Sequence, residues 1–107
     1  MHQRLGSGLL ESAYEECLGW VLTRSGLLVQ RQVELPIVFE GHRLTSTYRI
    51  DLLIEKQLIV EVKAVERILP VHEAQVRTYL RLSGIRAGLL LNFCVPVMKD
   101  GIRRINL

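Results

Sequence analysis

The chain has 107 residues, 49% hydrophobic and 23% charged, with a formal net charge of +3 and a pI of about 9.2. That length suits one domain and excludes two independent cores, and the composition excludes a disordered chain. The apolar runs, such as residues 87–91, fall far short of the ~20 residues that cross a bilayer, and the modest positive charge permits a polyanionic partner without requiring one.

Residues 1–6 lack the apolar core of a secretory signal, so a cytoplasmic protein with reduced cysteines is expected. The five residues before Gly6 read as the tail of another helix. Leu10, Ala13, Tyr14, Cys17 and Val21 recur with the period of an amphipathic helix over residues 9–24. Ser7 or Gly8 is positioned to cap its start, and Arg24 and Gly26 suit its end. Trp20 reads as core or interface. From Leu28 to Phe39 the composition turns β-like, with Pro36 demanding an edge strand or a break.

Glu40, Gly41 and His42 form a turn, with His42 an exposed loop residue. They lead into a second strand over residues 44–54, and Glu55, Lys56 and Gln57 then connect to a third over residues 58–65. Pro70 opens a helix that Gly84 ends after Ser83. Residues 86–93 read as a buried strand, Lys99 to Gly101 as a turn, and residues 102–107 as a final edge strand on which Arg103 and Arg104 meet phosphate or deter edge pairing. Cys17 and Cys94 have no metal-ligand spacing and fit buried thiols. The order of elements fits an α/β domain in which helices flank a mixed sheet of about four to five strands.

With the second hairpin centred on Lys56, Asp51 falls directly opposite Glu61. Opposed Cβ atoms lie about 4.5–5.5 Å apart, where like charges destabilise a sheet unless something compensates them. Side chains alternate along a strand, so Glu61 and Lys63 point the same way and converge with Asp51. The flanks (Ile50, Leu52, Leu53, Ile54, Leu58, Ile59 and Val60) belong to buried strands, where charge is rare unless paired or bound to metal. Carboxylate oxygens suit Mg²⁺ or Mn²⁺. The same spacing also fits a solvated face with Asp51 at a frayed strand end.

Gly8, Glu11 and Tyr14 match the GxxExxY signature, and this chain resembles the small bacterial family so named, within the PD-(D/E)XK nuclease superfamily. The resemblance continues through Arg49 to Asp51, Ile59 to Glu66, His72 to Gln75, Tyr79, the asparagine and phenylalanine at 92 and 93, and Lys99 to Gly101. It implies a restriction-endonuclease-like core, metal and water roles for Asp51, Glu61 and Lys63, and an acidic contribution from Glu11 on the first helix. Gln75 and Tyr79 are similar to a Gln-x-x-x-Tyr element that helps hold DNA. Family members carry more helix before the glycine turn, so a truncated start is expected.

Physical readings stand beside these. Glu11 falls at N3 if Gly8 is the N-cap, which the helix dipole favours in its own right. Tyr14 lies on the apolar stripe and reads as core. His72, in the first turn of its helix, reaches phosphate or faces solvent. The leading expectation is an Mg²⁺- or Mn²⁺-dependent nuclease acting on nucleic acid, DNA before RNA, with no membrane partner and with a homodimer left open. The alternatives are a non-catalytic nucleic-acid-binding or regulatory module on the same fold, and an obligate subunit.

Overall fold

A computed structural model describes residues 10–107. The proposed caps Ser7 and Gly8, and the helix tail before Gly6, lie outside the described residues. Helix α1 spans Glu11–Arg24. Strands β1 (Val29–Phe39), β2 (His42–Ile54) and β3 (Leu58–Lys63) follow, then helix α2 (Pro70–Ser83), strand β4 (Ala87–Asn92), a 3₁₀ turn at Met98–Gly101 and strand β5 (Ile102–Asn106). The sheet runs β1-β2-β3-β4-β5. All neighbours are antiparallel except β3 and β4, whose parallel pairing requires the α2 crossover.

Local chemistry accounts for these boundaries. Pro70 fits the first turn of α2, where its missing N–H costs nothing, and Gly84 closes the helix in the left-handed conformation at φ 77°. The β1–β2 turn places Glu40 and Gly41 at positive φ, as a tight hairpin demands. Pro36 is accommodated because β1 is an edge strand, with a bulge between Pro36 and Val38. From His42 to Ile50, β2 pairs with β1 alone, and residues 42–49 form an exposed arm.

The sheet buries both faces. Leu35, Ile50, Leu53, Ile59 and Leu90 pack with Val76, Tyr79 and Leu80 of α2, while Leu52, Ile54, Val60, Val62 and Phe93 pack with Tyr14 of α1. Tyr14 and Phe93 stack with ring centroids 4.3 Å apart. Gly88 lets α2 approach closely, since a Cβ there would sit 2.8 Å from Val76 Cγ1.

The face of α1 differs from the expected stripe. Tyr14, Glu15 and Gly19 are its buried residues, with Leu18 and Leu22 packed beside them. Leu10 is 77% exposed, and Trp20 is 61% exposed with the Arg24 guanidinium over its ring, so of its two expected settings the core is excluded. The helix is turned so that Gly19 meets β1, because a side chain at 19 would press on Arg31 and Leu52. Cys94 is exposed and Cys17 half-buried, so neither is the fully buried thiol expected.

Candidate functional site

The β2–β3 hairpin has the register that centring on Lys56 requires: Ile54 faces Leu58, Leu53 faces Ile59 and Leu52 faces Val60. Glu55 and Lys56, both at positive φ, form its turn. The next rung belongs to Asp51 and Glu61, and there the backbone ladder stops. The Asp51 N–H donates instead to Glu61 Oε1 at 3.0 Å. The Val62 N–H donates to Asp51 Oδ2 at 2.9 Å. Each carboxylate has taken a place that a backbone carbonyl would hold in a regular ladder.

The rung on the other side of Asp51 is also irregular. Arg31 pairs with Leu52 and Val33 with Ile50, yet Gln32 and Asp51 between them do not pair. Gln32 has φ 54°, a conformation seldom adopted by residues with a Cβ. Val33 and Ile50 pack toward α2, whereas Leu52 packs toward α1 and Arg31 reaches Glu15 of α1. Residues two apart ordinarily share a face. The alternation therefore slips by one residue in both strands at this rung, which turns Asp51 out of the regular pattern.

Burial sets the electrostatics. Glu61 is only 2% exposed, and burial first, then the charge of Asp51, pushes its carboxyl up to about 8. Asp51 is likewise held above its ordinary range, chiefly by burial and secondarily by the charge of Glu15. The Val62 N–H and Lys63 oppose that shift. The two carboxyls titrate against one another, and a buried pair of acids side by side favours keeping a proton on one of them. Lys63 is half-buried and near enough to be felt by both. No ion pair to it lies within 4.0 Å among the described residues.

Two hard carboxylates with a deficit of positive charge fit Mg²⁺ or Mn²⁺, which one or two carboxylates commonly hold with substrate phosphate completing the shell. Among the described residues no group of three or more His, Cys, Asp or Glu side chains is assembled for a metal.

The remaining candidates lie around this pair at different distances. Tyr79 is buried and senses the charges of Glu61 and Asp51. Burial, the larger cause, and those charges push its hydroxyl up to about 12. Gln75 donates to the Tyr79 hydroxyl at 2.8 Å, and the Tyr48 ring lies 5.4 Å from that of Tyr79. Glu11 begins α1 with Leu10 as N-cap, so it is the first helical residue and not N3. Its Oε2 accepts the Ala64 N–H at 3.1 Å, one residue beyond Lys63, and among the described residues no hydrogen bond joins it to the carboxylate pair. His72 Nδ1 caps α2 by accepting the Leu69 N–H at 2.9 Å.

Two residues without an assigned role shape the surroundings. Glu15, 6% exposed, accepts from Gln32 Nε2 through both oxygens, at 2.7 and 2.8 Å. Its position four residues after Glu11, on the same helix face, was the available signal. Asn92, also buried, accepts the N–H groups of Val65 and Cys94 and donates to the Val65 carbonyl, clamping the segment just beyond Lys63.

A family model described as the PD-(D/E)XK nuclease superfamily matches residues 1–105. No curated protein matches the chain. The crystal structure of SSO0001 is similar in fold, with a TM-score of 0.60 and 24% identity over 88% of this chain, which spans 47% of that one.

Proposed function

Since the chain belongs to the PD-(D/E)XK nuclease superfamily, we propose that it hydrolyses phosphodiester bonds in nucleic acid, DNA before RNA, using a divalent cation held by Asp51 and Glu61. The observation that carries this reading is the interrupted rung, where two carboxyls, both raised chiefly by burial, replace the backbone ladder. Burying two acids side by side only for structure would be costly.

When bound, the cation supplies polarisation of the scissile phosphate and activation of the attacking water. The water's oxygen replaces one ester oxygen on phosphorus, and the leaving oxygen takes up a proton. Lys63, on the same strand as Glu61, offsets negative charge on the phosphate and orients the water. Gln75 and Tyr79, joined by their hydrogen bond, border the pair from α2 and contact the nucleic acid. Glu11 secures the end of β3 through the Ala64 N–H and contributes its negative charge at the Lys63 end.

The test is cleavage of single- and double-stranded DNA with Mg²⁺ or Mn²⁺, against chelator and against Asp51→Asn, Glu61→Gln and Lys63→Ala. The expected result is metal-dependent cleavage lost in each variant, because such groups act as one unit. Equal cleavage by wild type and all three variants would overturn the proposal.

A further inference from the structure

Asp51 owes its position to more than its own strand. Gln32 faces it across the unpaired rung of β1 and β2, at positive φ, with the side-chain alternation slipped in both strands. The Gln32 amide nitrogen is fixed by both oxygens of Glu15. Its amide oxygen meets Arg49 Nη1 at 3.5 Å. Arg31, next along β1, adds its guanidinium 3.6 Å from Glu15. Glu15 is itself more than nine-tenths buried on the inner face of α1 and close enough for its charge to act on Asp51. Strain of this kind persists only where the surroundings impose it, and here the imposing contact comes from α1.

We propose that Glu15, acting through the Gln32 side chain, is a positioning residue that holds the 32/51 rung inverted and thereby delivers the Asp51 carboxylate to Glu61 and the Val62 N–H. Glu15 touches no substrate. Its role resembles that of the outer groups that orient metal ligands, whose loss commonly lowers metal affinity 10–100-fold. The functional consequence rests on Asp51 and Glu61 being the metal site; the geometric claim does not.

Amide hydrogen exchange without metal, together with Mn²⁺ titration, tests both levels on wild type, Glu15→Ala, Glu15→Gln, Gln32→Gly and Asp51→Asn. Glycine at 32 tolerates the positive φ and removes only the amide, so this variant remains informative if Glu15→Ala does not fold. The Val62 N–H, bonded to Asp51, is expected to lose about tenfold or more protection in Glu15→Ala and Gln32→Gly, while the Leu90 amide in the core keeps its own. Mn²⁺ affinity is expected to fall about tenfold or more in the same variants. Glu15→Gln, which retains an oxygen to accept from Gln32, is expected to restore both.

Unchanged Val62 protection in Glu15→Ala and Gln32→Gly overturns the inference, whatever happens to Mn²⁺. So does a Glu15→Gln variant as impaired as Glu15→Ala, because charge and not position would then be at work. If wild type binds no Mn²⁺ while protection changes as expected, the positioning stands and the metal reading falls. If Asp51→Asn abolishes Mn²⁺ binding while the other variants match wild type in both readouts, only the positioning is lost.

Discussion

On its β4 side, strand β3 is paired without interruption from Leu58 opposite Ala87 to Lys63 opposite Asn92, whereas on its β2 side the ladder ends at Val60 and carboxylates take over. Both sides are buried and belong to one strand, yet one is closed by backbone alone and the other depends on ionisable side chains. The β4 side therefore contributes stability that is insensitive to pH and metal. The β2 side gives up regular pairing to bring two acids together, and its energy depends on what neutralises them.

The largest contrast comes from truncation. Leu90→Ala, in the fully buried part of β4, is expected to cost about 2–5 kcal/mol in urea unfolding. Glu61→Gln on the other flank is expected to leave the metal-free protein as stable as wild type or more so at pH 8, since it removes a buried charge. A loss comparable to that of Leu90→Ala would erase the distinction between the flanks.

The pH dependence comes next. Folded Glu61 holds a proton up to about 8, whereas its ordinary value is 4.5. Between those values the native state binds a proton that the unfolded chain has released, so stability falls as pH rises. The contribution is full below about 4.5 and gone above about 8. Denaturation midpoints in chelator should decline across that window in wild type and in Leu90→Ala, and far less in Glu61→Gln. A flat wild-type profile would mean that Glu61 is ionised in the fold.

A smaller effect is expected at the end of β4. Asn92→Ala leaves the Val65 and Cys94 N–H groups and the Val65 carbonyl without their side-chain partner, a loss of about 1–3 kcal/mol measurable in the same unfolding series. Smaller again is Tyr79→Phe, which removes one hydrogen bond from the half-buried Gln75. About 0.5–1.5 kcal/mol is expected, with any larger deficit in cleavage assigned to contact with nucleic acid.

Elements whose boundaries depend on local chemistry were legible in the sequence. Pro70 and Gly84 delimited α2, and centring the hairpin on Lys56 placed Asp51 opposite Glu61. What escaped reading depends on contacts between distant segments. The slip at Gln32 and Asp51 breaks the alternation on which strand reading relies, and its imposing contact comes from Glu15 on a helix 17 residues earlier. The same contact explains the turned face of α1: an acid and a glycine occupy buried positions because Gln32 and Arg31 meet them there. Periodicity counts only apolar residues, so it assigned the stripe to Leu10 and Cys17 instead. Cys94 lies beyond the last residue of β4, where an apolar neighbourhood in sequence no longer means an interior in space.

The strand order has a consequence for how the domain forms. Each strand lies beside the one before it in the chain, and α2 supplies the single crossover between parallel neighbours. Pairings of short sequence separation favour rapid folding, because little chain entropy is lost before contacts begin to compensate. Asp51 and Glu61 are brought together by a hairpin whose turn spans only Glu55 to Gln57. Closing that loop costs little entropy, so the small opposition it offers leaves the folding reaction room to absorb the repulsion between two acids.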